Sequence, residues 1–386
     1  MIPYGCQDIN ESDISAVLDV LRSDYLTQGP VVPKFEHAVS SYCGASHGIA
    51  MNSATSALHV ACLSLGLGPG DWVWTSANTF VASANCGRYC GANVDFVDIC
   101  PKTYNLSIRE LEKKLEKAKS IGKLPKVVIP VHFSGQPCDM PKLHALAQYY
   151  GFKIIEDASH AIGARYNKNF IGSCIHSDIT VFSFHPVKII TTGEGGLATT
   201  NNPELAERML LFRSHGITRD SNKMTIDSHG DWYYQQIGVG FNYRMTDIQA
   251  ALGLSQLERL DEYIEQRDRI AQQYDKQLAD LPVQLPLRIS KNRPAFHLYP
   301  IQLVDSQVRS RVFQTMRDAG IGVNVHYIPV HTQPYYENLG FKTGDFPQAE
   351  AYYSRTISLP IFPAMSIKQQ DHIIEALKFA LVKENK

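Results

Sequence analysis

The chain has 386 residues, enough for one large and one small domain, each with its own core. Its 37 lysines and arginines balance 38 aspartates and glutamates, and the net charge of −1 excludes the basic stripe of a nucleic-acid-binding protein. Eight cysteines without a CxxC pair and 14 histidines without an HExxH spacing point to reduced thiols and no metal site. The first residues have no basic and then apolar leader pattern, and no stretch approaches a membrane span, so the expected location is the cytoplasm, with no membrane partner. Asn10 caps a helix with Ile14, Val17, Leu18 and Leu21 on one face, and Asp13 completes a capping box. A turn-rich segment at 25–30 follows. From about 47 to 200, short apolar runs alternate with helical patterns, predicting strands at 48–51, 72–76, 94–98, 127–132, 153–157 and 179–184 and a helix opening at Thr55. This is the pattern of a doubly wound α/β domain, in which ligands bind beyond the carboxyl ends of the strands. From Thr246 to about Leu281 the spacing of Ile248, Ala251, Leu252 and Leu257 predicts one long linking helix. A small α/β unit then follows: a strand at 297–303, a helix at 306–319 stopped by Gly320, a strand at 322–329, and a last helix opened by Ser366 and Gln369. The expected division is a large domain at 1–250 and a linker helix with the small domain at 251–386.

Four segments carry the chemistry. Lys188 ends the run Ser183-Phe184-His185-Pro186-Val187-Lys188 and is followed by Gly193-Glu194-Gly195-Gly196. An amine that condenses with a carbonyl must be shielded enough to lose its proton, and glycines beside it let a planar ligand approach the backbone. A solvated loop lysine has the same appearance when taken alone. In Asn52-Ser53-Ala54-Thr55-Ser56-Ala57-Leu58 a strand gives way to a helix through small hydroxyl residues, either a phosphate site or a plain helix cap. The apolar run before Asp157, with His160 three residues on, places a carboxylate where it can keep a pyridine nitrogen protonated, or where it merely caps the next segment. Phe80 follows a predicted strand and either stacks on a ring or joins the core. Ser183 offers a second phosphate donor. Phosphate cradle, stacking aromatic, acid and amine, in this order, are what pyridoxal 5′-phosphate requires. The glycine-rich run at 66–70 would suit a nicotinamide-dependent oxidoreductase, but it lacks the GxGxxG spacing and follows a helix instead of a strand.

On these motifs the chain resembles the DegT/DnrJ/EryC1 sugar-nucleotide aminotransferases over nearly its whole length, from Leu26-Thr27-Gln28-Gly29 to His326-Tyr327-Ile328-Pro329-Val330-His331. The resemblance implies a type I pyridoxal-phosphate fold, with a large doubly wound mixed-sheet α/β domain and a small C-terminal one. It makes Lys188 the Schiff-base residue, Asp157 the pyridinium partner, Phe80 and His160 the ring contacts, and Thr55, Ser56 and Ser183 the phosphate contacts. The run Gly240-Phe241-Asn242-Tyr243-Arg244-Met245 resembles the family segment whose asparagine enters the neighbouring subunit's site, which implies a homodimer with shared active sites through Asn242. Lysine at 188 also separates the chain from family members that carry histidine there and act as dehydratases. Asn52–Leu58, Arg213–Gly216, 297–300 and 325–327 are similar to the branch that aminates the 4-keto group of UDP-2-acetamido-2,6-dideoxy-β-L-arabino-hex-4-ulose with L-glutamate in pseudaminic acid biosynthesis. The cofactor would cycle through pyridoxamine 5′-phosphate. Branches acting on other UDP- or dTDP-4-keto sugars share much of this pattern. Tyr4, Gln28, Arg219, His326 and Tyr327 are the candidates for the sugar and diphosphate.

Overall fold

A computed structural model describes residues 1–383. Five apolar runs form the parallel part of a seven-stranded sheet: β2 (Trp72–Ser76), β3 (Asn93–Val97), β4 (Val127–Ile129), β5 (Lys153–Asp157) and β8 (Ile179–Ser183). With β1 (His47–Met51) and β9 (Gly196–Thr200) the order is β1-β9-β8-β5-β4-β2-β3, and β9 runs antiparallel to both its neighbours. The sheet is therefore mixed. Two short ladders, β6–β7 (Arg165–Tyr166, Asn169–Phe170) and β10–β11 (Ile217–Thr218, Gln235–Gln236), lie apart from it. The helices of this half are α1 (Glu11–Leu21), α2 (Val31–Cys43), α3 (Ala54–Ser64), α4 (Ala82–Tyr89), α5 (Ile108–Ser120), α6 (Met140–Tyr150) and α7 (Pro203–Arg213). The capping box of Asn10 and Asp13 opens α1 as its sequence requires.

The register of β9 assembles the site. Gly196 pairs with Met51 on one side and Ser183 on the other, so the segments leaving β1 and β8 emerge side by side. Asp157 pairs with Val181, bringing the end of β5 beside them. Gly196 has no alternative there: a Cβ would lie 2.5 Å from the carbonyl carbon and oxygen of Ser53. The glycine run thus admits other protein segments, with Gly193 turning the chain at φ +79, and close approach of a ligand is not what Gly196 provides.

Beyond residue 246 the expected single helix is two, α8 (Asp247–Leu257) and α9 (Leu260–Gln277). The break falls where the side chains of Gln256 and Arg259 converge on Asp13 Oδ2, at 2.7 and 2.6 Å, a tertiary demand invisible to helical periodicity. The side chains of α9 serve two cores. Leu260, Tyr263 and Ile264 pack with the large sheet's residues, whereas Ile270, Ala271, Tyr274 and Leu278 join a second core. That core covers an antiparallel sheet of β12 (Val283–Gln284), β13 (Tyr299–Leu303) and β14 (Thr356–Leu359) with α10 (Arg309–Asp318) and α13 (Ile367–Lys383). Short α11 (Pro334–Glu337) and α12 (Pro347–Arg355) complete the chain. Ile2 and Cys6 pack on this second core, so the N-terminal segment reaches it as well.

The strand expected at 322–329 does not form. Only isolated bridges occur there, Ile321 with Ile2 and Asn324 with Ser358. Side chains replace the ladder: Tyr327 N–H donates to Asn78 Oδ1 at 3.2 Å and His326 Nδ1 meets the Ser358 hydroxyl at 2.9 Å, which turns the segment toward the large sheet. The glycines at 66–70 end α3, with Gly66 at φ +73, and no nucleotide fingerprint follows a strand there.

Candidate active site

A cavity of about 400 Å³ opens at the carboxyl ends of β1, β5 and β8. At its floor the Asp157 carboxylate is held from two sides. Ser83 on α4 donates its hydroxyl to Oδ2 at 2.6 Å, and the Ser159 N–H donates to Oδ1 at 3.1 Å. Ser83 is itself fully buried and fixed by Thr79 Oγ1 at 2.8 Å. A buried carboxylate fed by fixed donors keeps its direction.

Lys188 lines the same cavity, half-buried on the loop after β8. Burial lowers its ammonium to about 8, and the negative charge of Asp157 opposes that shift. Near neutral pH a useful share of Nζ is therefore an uncharged amine.

His160 is buried behind the cavity. Its Nδ1 accepts the Ser134 N–H at 3.3 Å, which leaves Nε2–H to donate to the Tyr327 hydroxyl at 3.1 Å. Burial, and then the charge of Lys188, hold His160 well below the usual imidazole range, and the same two causes lower His326 to about 3. Both rings are neutral hydrogen-bonding groups around the lysine. Phe80 stands exposed at the mouth, 6.2 Å between centroids from Tyr327, and Tyr4 faces His326 at 5.4 Å.

The start of α3 borders the same cavity. Ser53 caps it by accepting the Ser56 N–H at 3.1 Å, and Ser53, Thr55 and Ser183 line the cavity. Hydroxyls around a helix N-terminus suit a doubly charged phosphate. Ser56 turns away: its hydroxyl donates to Asn52 Oδ1 at 2.7 Å, and it belongs to the cap instead of the cavity wall.

The cavity thus gathers Thr55, Phe80, Asp157, His160, Ser183, Lys188, Tyr4, His326 and Tyr327. Three further candidates lie elsewhere. Gln28 lines a separate cleft with Arg213 and Arg244, and Arg219 lines a groove with Arg208 and Lys223. Asn242 is exposed, bridged to Ser214 outside the cavity. Sequence reasoning missed Ser83, Thr79, Ser159, His185 and Glu194. Ser159 had a signal, since a residue two after an aspartate often donates back to it; Ser83 had none, being 74 residues from Asp157.

The donors present fit pyridoxal phosphate: a hydroxyl-rich helix start for the phosphate, a fixed carboxylate for the ring nitrogen, and a desolvated amine in the same cavity. The family model for DegT/DnrJ/EryC1/StrS aminotransferases matches residues 7–378. The UDP-4-amino-4,6-dideoxy-N-acetyl-beta-L-altrosamine transaminase of Campylobacter jejuni is 36% identical over 392 residues, covering 100% of this chain and 99% of that protein. GDP-perosamine synthase of Caulobacter vibrioides is 39% identical, covering 97% and 96%. Among solved structures, Helicobacter pylori PseC, an aminotransferase involved in the biosynthesis of pseudoaminic acid, superposes with a TM-score of 0.91 at 30% identity over 99% of both chains. Aminotransferases of this family depend on pyridoxal phosphate, and solved neighbours include a pyridoxal-phosphate form. The chain belongs to the DegT/DnrJ/EryC1/StrS aminotransferase family and is a pyridoxal-phosphate-dependent sugar aminotransferase.

Proposed function

We propose that the protein transfers an amino group from L-glutamate to the 4-keto carbon of a UDP-linked 4-keto-6-deoxy-N-acetylhexosamine, specifically UDP-2-acetamido-2,6-dideoxy-β-L-arabino-hex-4-ulose of pseudaminic acid biosynthesis. The observation that carries the reaction type is the pairing, in one cavity, of a lysine lowered to about 8 with the doubly anchored Asp157. The Campylobacter and Helicobacter likenesses support the sugar. A GDP-sugar enzyme at 39% identity makes the nucleotide the part to be tested.

When bound, the cofactor supplies an exchangeable carbonyl and an electron-withdrawing ring. Lys188 Nζ would hold the cofactor's carbonyl carbon, and its uncharged amine would serve as the base for the proton of the donor's α-carbon. Asp157 keeps a proton on the ring nitrogen, Ser83 and Ser159 fix the carboxylate, and Ser53, Thr55 and Ser183 bind the phosphate. Phe80 and the neutral His160, both lining the cavity, would contact the ring. His326, Tyr327 and Tyr4 border the space left for the sugar. Asn242, which lies outside the cavity of its own chain, enters a partner's site, so the working unit is a homodimer. We divide the chain into a large cofactor-binding domain at 1–250 and a linker helix with the small domain at 251–386. No helix among the described residues is long and apolar enough to cross a membrane, and we place the enzyme in the cytoplasm.

The test is the absorption spectrum of the purified holoenzyme before and after L-glutamate, with Lys188→Ala alongside, followed by a panel of UDP-, dTDP- and GDP-4-keto sugars. The expected result is a visible band that glutamate converts to the aminated form, and turnover restricted to a UDP-N-acetylhexosamine. A band unmoved by glutamate refutes the donor. Preference for GDP- or dTDP-sugars refutes the substrate while leaving the reaction class intact.

A further inference from the structure

His59 lies on α3, four residues after Thr55, and has no part in the chemistry above. It is 5% exposed, and a buried polar ring is costly unless its nitrogens find partners. Its Nδ1 meets the Tyr243 hydroxyl at 3.3 Å. The Phe241 ring lies 4.9 Å away between centroids, and the Tyr89 ring closes the group edge-on at 5.4 Å. Phe241 and Tyr243 in turn stack on each other, 4.9 Å apart with 11° between their planes.

These two rings flank Asn242. The segment that carries them is tied to the end of α7 and to the residue after β1. Phe241 N–H donates to the Phe212 carbonyl at 2.7 Å, Tyr243 N–H donates to the Arg213 carbonyl at 3.1 Å, and the Tyr243 carbonyl accepts the Asn52 N–H at 2.8 Å. Antiparallel bridges at Asn242 and Arg244 show that the backbone there is strand-like. Successive side chains of such a segment point to opposite sides. With the rings at 241 and 243 both turned in against His59, the side chain at 242 is turned out, and Asn242 is exposed. A slip of one residue would bury the asparagine and expose both rings. The contact of His59 Nδ1 with Tyr243 ties the inward face to α3.

We propose that His59 is a positioning residue for Asn242. By holding Phe241 and Tyr243 inward, it presents the asparagine between them to the neighbouring subunit, which rests on the reading above that Asn242 enters a partner's site. His59 thus acts on the site of the other chain, although it stands only about 6 Å along α3 from the Thr55 of its own.

The test separates the two chains. The His59→Ala holoenzyme should lose about tenfold in activity, as expected for one hydrogen bond. Co-expressed with inactive Lys188→Ala, it should recover to about a quarter of wild type, because half the dimers then join the intact Lys188 of one chain to a correctly aimed Asn242 of the other. Wild-type activity in His59→Ala overturns the proposal. So does a mixture at about half the activity of His59→Ala alone, which is the outcome if His59 serves only the phosphate turn of its own chain. Asn242→Ala paired with Lys188→Ala reads the partner-site assignment by itself. Recovery in only one of the two pairs overturns the proposal alone, and recovery in neither overturns the reading beneath it as well. The double variant His59→Ala/Asn242→Ala should be no slower than Asn242→Ala, and a further loss would show that His59 acts elsewhere. His59→Phe keeps a ring against Phe241 and loses Nδ1, so it should be recovered in the same mixture even where His59→Ala folds poorly.

Discussion

The most local test of how this site is assembled is a single methyl group at Gly196. That residue sits between Met51 and Ser183 in the sheet, where β9 passes under the turn that opens α3. A Cβ there would lie 2.5 Å from the carbonyl carbon and oxygen of Ser53, and nearer still to the Ala54 nitrogen. All are backbone atoms, with no flexible end to swing aside. Since comfortable contact begins near ~3.5 Å, Gly196→Ala must move Ser53–Ala54 by roughly 1 Å. Overpacking of this kind costs about 1–3 kcal/mol, on the order of 5 °C in Tm. The displaced turn is the one proposed to hold the cofactor phosphate. Losing one charge-assisted hydrogen bond there, about 1.5–3 kcal/mol, weakens pyridoxal phosphate by about 10- to 100-fold. Gly193→Ala is the control. Its φ is +79 but nothing lies within 4 Å of its Cβ, so it pays about 1 kcal/mol of backbone strain and leaves the turn in place. Titration of both apoenzymes with cofactor, together with thermal melts, separates the two effects. Equal cofactor affinity in the two variants would refute the assignment of the Ser53–Thr55 turn to the phosphate.

Other perturbations follow from the same geometry. The folded value of Lys188, about 8, lies below its ordinary 10.5, so between those values the unfolded chain binds more protons and the apoenzyme gains stability as pH rises. Lys188→Met should lose that gain in Tm between pH 8 and 10, and an unchanged pH slope would contradict the burial of the amine. Mixing inactive Lys188→Ala and Asn242→Ala subunits should restore about a quarter of wild-type activity, because half the dimers then carry one complete site; no recovery would show that Asn242 acts in its own subunit or not at all. Glu156 accepts hydrogen bonds from His132, Ser177 and Thr180 at 2.7, 2.5 and 2.9 Å, so Glu156→Ala strands two buried donors and a half-buried one. A loss of about 3–5 kcal/mol in chemical denaturation is expected, and a loss under 1 kcal/mol would mean that the network relaxes.

Much of the large sheet was legible because its strands are buried on both faces and appear as short apolar runs; β2 and β5 begin and end where their runs do. Reading failed where a distant partner overrode a local pattern. Periodicity joined α8 to α9, but Asp13 holds the junction apart; residues 322–329 are apolar enough for a strand, but Asn78 and Ser358 take their hydrogen bonds. The site followed the same division. Asp157, Ser183 and Thr55 announce themselves at strand ends or helix starts, and Lys188 by the glycine run after it, whereas Ser83 is an ordinary helical serine until α4 packs over the end of β5.

The adjacent acids Glu156 and Asp157 show why local chemistry alone misses half of such a site. In a strand, successive side chains point to opposite faces, so one acid must leave the cavity if the other enters it. Glu156 goes to the far face, where burial would favour its neutral form but the His132 hydrogen bond, with those of Ser177 and Thr180, outweighs it and holds the carboxyl below the usual range. His132 receives the Cys138 N–H on Nδ1 at 3.0 Å, so its other nitrogen carries the proton toward Glu156. That chain of bonds ties β5 to the loop after β4 and, through Thr180, to β8. Asp157 is consequently aimed from behind by its neighbour and from the side by Ser83. The pair Glu156-Asp157 encodes an anchor and a working group in one dipeptide, and only the second reveals itself by its position at the strand end.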